Sequence, residues 1–367
     1  MKNIYLILII GFAFSMTGCS KHYKNMQWSK FRNNKSNDGY SQEKAPREKP
    51  YLKWKFKTEG EVNSSPALAD GTVFFGNYKG YFYALDAESG NEKWRFKTNG
   101  SIESSPALAK GIVFFGSADD YLYALDMKTG LEKWKFNTGF GIISSPVVAN
   151  NMVFFGSTDG NFYAVNIFTG EETWKIKTGR NVIYSSPAVA NGMVFFGSWN
   201  EHLYAVDMKT GQVNWVFRTW NVISSSPAVV NSLVLFGSFD GYFYAVDVKT
   251  GLEKWKFETN RYIKSSPAVA EGIVFFGSED NHMYALDIKS GQKKWKFRTE
   301  GDVNSSPAVI DGIVYFGSED KNLYAVDIST GKEKWRFKTE EGIKSSPAVA
   351  NGMIFFGSKD DHLYALE

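Results

Sequence analysis

The chain has 367 residues, a formal charge of +3 and a single cysteine. One cysteine excludes an internal disulfide framework and any multi-cysteine zinc site, and near-neutral charge argues against a nucleic-acid-binding protein. Aromatic residues reach 16%, with 34 glycines, 30 phenylalanines and only 10 prolines, which fits a strand-and-turn protein with a large buried core.

Residues 1–18 read as an export signal. Lys2 precedes an apolar run of 11 residues from Ile4 to Phe14, and Met16-Thr17-Gly18 stands before Cys19. This is the basic, apolar and small-residue order of a secretory signal peptide, and the run is too short to span a bilayer. Met16-Thr17-Gly18-Cys19 resembles a bacterial lipobox, which implies lipidation at Cys19 and a protein tethered to a membrane surface. Ser20, next in sequence, resembles the pattern of lipoproteins sorted to the outer membrane; exposure on the cell surface is the alternative. Residues 20–50 are polar, with eight Lys/Arg against three Asp/Glu. The stretch 19–50 is therefore expected to be a flexible, lipid-anchored tether, with attraction to anionic headgroups a secondary role.

From residue 51 one period governs the sequence. Tryptophans recur at Trp54, Trp94, Trp134, Trp174, Trp215, Trp255, Trp295 and Trp335, spaced by 40 or 41 residues. Ser-Ser-Pro recurs with prolines from Pro66 to Pro347, and a Phe-Gly step with glycines from Gly76 to Gly357. Each period predicts four strands, A to D; in the second unit they cover 104–109, 112–116, 121–126 and 132–138. Asp70-Gly71, Asn191-Gly192 and Asn351-Gly352 predict tight A–B hairpins. Four antiparallel strands per 40-residue unit make a propeller blade. The region opens on a lone D strand (51–58) and closes on a lone C strand (362–366). The expected fold is thus an all-β, eight-bladed propeller over 51–367, with the first strand completing the last blade. Strand D, reading Lys-Trp-Lys-Phe-Lys, is expected at the outer edge, where lysines discourage aggregation.

The motif Ala84-x-Asp86-x-x-x-Gly90-x-x-x-Trp94 recurs in each C–D pair up to Trp335, with Asn166 replacing the aspartate once. It resembles the tryptophan-docking motif of pyrroloquinoline-quinone (PQQ)-type β-propellers. The resemblance implies that the tryptophans pack between blades and that Asp and Gly shape the receiving turn. It is specific for fold and weakly specific for function. Quinoprotein dehydrogenases of this superfamily bind PQQ and calcium on the axis, but they resemble this chain in blade count only; it lacks their insertions and adjacent cysteines. Lipid signal, length and bare propeller resemble the propeller lipoproteins of the outer-membrane β-barrel assembly machinery, although the repeats here are more uniform than that resemblance would suggest. It implies a propeller without cofactor.

Columns that vary among repeats are candidates for specific contacts. One column follows the invariant aliphatic residue before Ser-Ser-Pro: Asn63, Glu103, Ile143, Tyr184, Ser224, Lys264, Asn304 and Lys344. It is expected at the inner rim of the axis mouth. With one carboxylate in the ring, no strong calcium site is predicted, and Asn63 and Asn304 are the residues that could contribute to one. D–A and B–C loops share one face, and there Phe140, Arg180, Tyr184, Trp199, Trp220, Phe239, Arg261 and Tyr262 have a hot-spot composition, suited to a protein partner or to stacking on sugars. His202, His282 and His362 share a repeat position on separate blades and are not expected to converge on a metal. No phosphate loop, HExxH or hydrolase triad is present.

Together these features predict a membrane-anchored, non-catalytic, monomeric scaffold in the bacterial envelope. It would face the periplasm from the outer membrane and bind an envelope protein, such as the barrel-assembly complex. The alternative is a PQQ- or carbohydrate-binding propeller acting as a quinoprotein oxidoreductase.

Overall fold

A computed structural model describes residues 28, 29, 31, 33–41, 46, 48–179 and 182–367. The signal peptide, Cys19 and Arg180 lie outside the described residues. The repeats form eight four-stranded antiparallel sheets arranged as a ring. Blade 1 comprises strands A (Ala67–Ala69), B (Thr72–Gly76), C (Tyr81–Asp86) and D (Glu92–Lys97), and each later blade repeats this pattern. Strand A is shorter than expected. In blade 2 it spans Ala107–Ala109: Ser104 and Ser105 bond to the next blade, and Ser104 meets strand B through its hydroxyl, which accepts from Gly116 N at 3.1 Å. The A–B hairpins carry the anticipated left-handed pairs, such as Asp70 and Gly71 at φ 48° and 67°.

Three contacts, repeated around the ring, hold blade to blade. Nearest the axis, the first serine of each Ser-Ser-Pro donates its hydroxyl to the carbonyl of its counterpart one blade on, at 3.0–3.2 Å, from Ser64 onto Ser104 round to Ser345 onto Ser64. The backbone N–H of the second serine donates to the next blade's second serine hydroxyl, from Ser65 onto Ser105 round to Ser346 onto Ser65. Two closed rings of hydrogen bonds result. Farther out, the invariant aliphatic residue presses on the preceding blade's Phe-Gly glycine. A Cβ on Gly116 would lie 2.2 Å from Ile142 Cγ2, and one on Gly357 would lie 2.4 Å from Val62 Cγ1. Only glycine leaves that space.

The third contact is the tryptophan dock. Trp94 Nε1 donates to Met127 O of the next blade at 3.1 Å, and its ring lies against Gly130, a left-handed turn residue at φ 71°. The same dock recurs from Trp54 on Gly90 to Trp295 on Gly331. Trp335 is buried without a partner for its Nε1 among the described residues, because the C–D position it faces is the ring seam. There Leu52–Lys57 pairs antiparallel with His362–Leu366, so the first strand completes the last blade. Tyr51 and Glu367 exchange two 3.0 Å backbone hydrogen bonds, and Lys53 bridges Glu367 at 2.7 Å and also pairs with Glu88.

The docking turns are built on aspartates. Asp207 Oδ1 accepts from Lys209 N, Thr210 N and Thr210 Oγ1; Asn166 keeps two such bonds, from Phe168 N and Thr169 N. Backbone donors at Thr210, Thr250 and Ser290 hold the Asp207, Asp247 and Asp287 carboxyls below the usual range, Asp247 at about 2. At Asp86, Asp126 and Asp327 partial burial opposes this shift, but turn donors and the partner lysines outweigh it.

Part of the expected flexible tether is instead built into the ring. The middle residue of each three-residue A strand turns its N–H toward the axis, since its two neighbours face strand B. A segment within residues 28–41 runs inside the ring and accepts these protons. Leu68, Leu108, Val189, Val229, Val269 and Val309 donate to the carbonyls of Trp28, Ser29, Lys35, Ser36, Asp38 and Gly39, at 2.6–2.9 Å. Tyr40–Ser41 then pairs parallel with Val309 and Ile310. Trp28 is 3% exposed and belongs to a buried cluster drawn from blades 1, 7 and 8. Polar composition hid this, because the segment binds through its carbonyls and needs few apolar side chains.

The framework can be probed at its serines and its turns. Ser226→Ala leaves the buried Ser186 N–H unpaired and should cost about 1–3 kcal/mol, read as a lower denaturant midpoint; an unchanged midpoint would show the serine rings to be energetically idle. The turn aspartates titrate lower in the folded than in the unfolded chain, whose value is near 3.9. Their stabilisation is complete above about pH 4 and is lost as pH falls through the folded values toward about 2. Urea midpoints should drop across that window, less steeply in Asp247→Asn.

Candidate functional site

D–A and B–C loops meet on one face and are pinned together by their backbones. Tyr78 N donates to Glu61 O at 2.9 Å, Trp199 N to Val182 O at 3.1 Å, and Lys359 N to Gly342 O at 3.0 Å. In five blades from the second to the seventh, a tyrosine of strand C donates to a B–C loop aspartate four residues earlier, as Tyr123 does to Asp119 at 2.9 Å and Tyr324 to Asp320 at 2.7 Å. Blade 8 repeats it with Tyr364 and Asp360 at 2.8 Å. In blade 4 Asn200 takes the aspartate's place beside Tyr204. Burial leads in raising the pKa of the six tyrosines that donate to an aspartate, followed by that aspartate, so they stay protonated donors that tie the loop to strand C.

These loops surround an axial cavity of about 830 Å³. All eight residues of the expected rim column line it, from Asn63 and Glu103 to Lys344. Phe31, from the segment inside the ring, also lines it. The channel is therefore a cup with an aromatic element of the N-terminal segment in its wall.

The cup has two unlike halves. Across blades 4 to 6, Tyr184 meets Trp199 edge-on at 4.8 Å, Trp199 lies 6.4 Å from Phe239, and Phe239 stacks on Tyr262 at 4.9 Å. Trp199 Nε1 donates to Ser224 Oγ at 2.8 Å, and Lys264 Nζ sits 5.4 Å over the Phe239 ring. The other half is charged and internally paired: Lys344 with Glu103 at 3.5 Å and Lys359 with Glu319 at 2.7 Å. Burial, then Glu279, pushes the Asp302 carboxyl up.

Of the eight sequence-predicted contact residues, Tyr184, Trp199, Phe239 and Tyr262 form this continuous belt. Phe140 and Trp220 stand apart, 64% and 80% exposed, and Arg261 is exposed beside Tyr262. Sequence reasoning missed Phe31, and it missed that the B–C position of Trp199 and Phe239 is itself a rim column, filled elsewhere by Tyr78, Glu319 and Lys359. Reading that column across all repeats would have found it.

His202, His282 and His362 each place Nδ1 at 2.6–2.8 Å from a carbonyl of their own blade. Among the described residues no three His, Cys, Asp or Glu side chains gather at one point. Glu103 and Glu319 are held by lysines; Glu61, Asn63 and Asn304 also line the cup, and the Oδ1 atoms of Asn63 and Asn304 are buried without a hydrogen-bond partner among the described residues.

The family model described as outer membrane protein assembly factor BamB matches residues 52–256, 218–306 and 298–367. The chain belongs to this family. Among solved structures, BamB from Moraxella catarrhalis is 17% identical over 87% of this chain and 100% of its own, with a TM-score of 0.76. A europium-containing methanol dehydrogenase is 16% identical over 93% of this chain and 98% of its own, at 0.80. The quinohemoprotein alcohol dehydrogenase from Comamonas testosteroni is 14% identical over 93% and 80%, at 0.81. At these identities the likeness is one of fold, shared by an assembly factor and by enzymes. No curated protein matches the chain.

The two tryptophans of the face should behave differently. Trp220→Ala should move stability by no more than about 0.5 kcal/mol. Trp199→Ala removes a packed, hydrogen-bonded ring and should cost about 1–3 kcal/mol. Thermal melts of both variants check this; equal shifts would contradict the belt.

Proposed function

We propose that this protein is a non-catalytic scaffold of the bacterial envelope. It is lipid-anchored through Cys19 at the outer membrane, faces the periplasm, and docks a component of the outer-membrane protein assembly machinery on its loop face. The observation that carries this reading is the aromatic face of blades 3 to 6. A packed belt from Tyr184 to Tyr262 gives a rigid base, and Phe140, Trp220 and Arg261 project around it. Rigid aromatic anchors with an arginine are what protein interfaces use for most of their binding energy. Membership of the BamB family supports the partner class, and the lipobox-like Met16-Thr17-Gly18-Cys19 supports the anchor.

A second reading rests on the cup itself. Its volume lies within the range of small-molecule sites, and its aromatic half could stack a planar or sugar ring. Under that reading a carbohydrate or quinone binds there; the lysine-paired carboxylates of the opposite half count against quinone catalysis.

In-cell crosslinking from a photoreactive residue at position 220 or 140 separates the two. The scaffold reading expects capture of an outer-membrane barrel or its assembly core from either position. Capture from position 140 should be lost when Trp220→Ala and Tyr262→Ala are introduced together. Absence of any protein adduct from a correctly anchored chain would overturn the reading and direct attention to glycan and quinone binding by the cup.

A further inference from the structure

The inner edge of a propeller is a ring of unsatisfied strand edges. Each A strand pairs on one side only, so one N–H per blade points into the channel. An exposed strand edge is a template for another chain, and adding a peptide to it is a common recognition mode. In this protein the template is filled from within. Taken in chain order, the carbonyls of Trp28, Ser29, Lys35, Ser36, Asp38 and Gly39 meet blades 1, 2, 4, 5, 6 and 7, one hydrogen bond to each. The segment thus winds around the axis in the same sense as the blades.

Side chains add register. Asn37 is 1% exposed, and its Nδ2 donates to Pro187 O at 3.0 Å and Pro227 O at 3.1 Å. One amide therefore bridges two blades just after their Ser-Ser-Pro serines. Trp28 bridges Leu68 of blade 1 and belongs to the buried cluster that also holds Val349, Ala350 and Met353 of blade 8, residues on the two sides of the junction that no backbone turn closes. Asn34 holds the turn through Asp38, Nδ2 to Oδ1 at 2.7 Å.

We propose that the ring of strand-A amides is a peptide-binding site, that residues 28–41 are its resident ligand, and that the bound segment locks the ring across its seam. The site recognises backbone carbonyls presented one per blade, a buried tryptophan at the start, and an asparagine amide between two prolyl carbonyls. It asks little of the other side chains; Lys35 is exposed and contributes only its carbonyl.

The test uses the full mature chain with a site-specific protease sequence inserted between residues 45 and 46. After cleavage, gel filtration at micromolar concentration should show the N-terminal piece co-eluting with the propeller. A fluorescent synthetic peptide of residues 28–41 should exchange into the cleaved protein and raise its melting temperature in a concentration-dependent way. Trp28→Ala and Asn37→Ala peptides should each bind at least tenfold more weakly, and a Lys35→Ala peptide should bind like the parent. Separation of the piece on cleavage with the propeller's melt unchanged would overturn the proposal. So would equal binding by all four peptides.

Discussion

The structure depends on one constraint: every blade must bond to the next in an identical way, and the eighth must meet the first. The paired serine rings meet it at the centre. Each hydroxyl and N–H there is buried and must be satisfied, and its partner always belongs to the equivalent serine one blade on. An arrangement with a step or an open end would strand buried donors at one edge and buried acceptors at the other. The Ile–Gly contact and the tryptophan dock carry the same periodicity outward. They also explain why the period in the sequence is so strict. A substitution in any of these columns is felt by two blades.

Much of this was legible in the sequence because periodic constraint leaves a periodic trace. The 40-residue spacing of the tryptophans gives the blades, and the phase of the lone D and C strands gives the closure seen between Leu52–Lys57 and His362–Leu366. The role of Ser-Ser-Pro was not legible. Two small polar residues read as the start of a strand, and only the ring geometry shows their partners to lie 40 residues away. The segment within 28–41 was invisible for another reason. It occurs once, it is polar, and it binds through carbonyls that every residue possesses.

The site shows the same division. The inner-rim column could be placed at the axis mouth because it sits next to an invariant buried residue. Which of its members touch could not be read, since that depends on loop direction. Tyr184, Trp199, Phe239 and Tyr262 became one belt, whereas Phe140 and Trp220 remained separate and exposed. The opposite half of the rim pairs its own charges and so presents little free charge to a ligand. Function, on this account, lies in the few columns that the ring leaves unconstrained, and the ring supplies rigidity.

The most direct measurement replaces Tyr184, Trp199, Trp220, Phe239, Arg261 and Tyr262 together with the residues that blades 1, 7 and 8 carry at the same repeat positions. The variant's melting curve and its capture of envelope partners are then compared with the parent's. The account predicts a cooperative melt, shifted down by the loss of the belt but still that of a closed ring, with partner capture abolished. Undiminished capture by a folded variant would contradict it, and would place recognition elsewhere on the propeller.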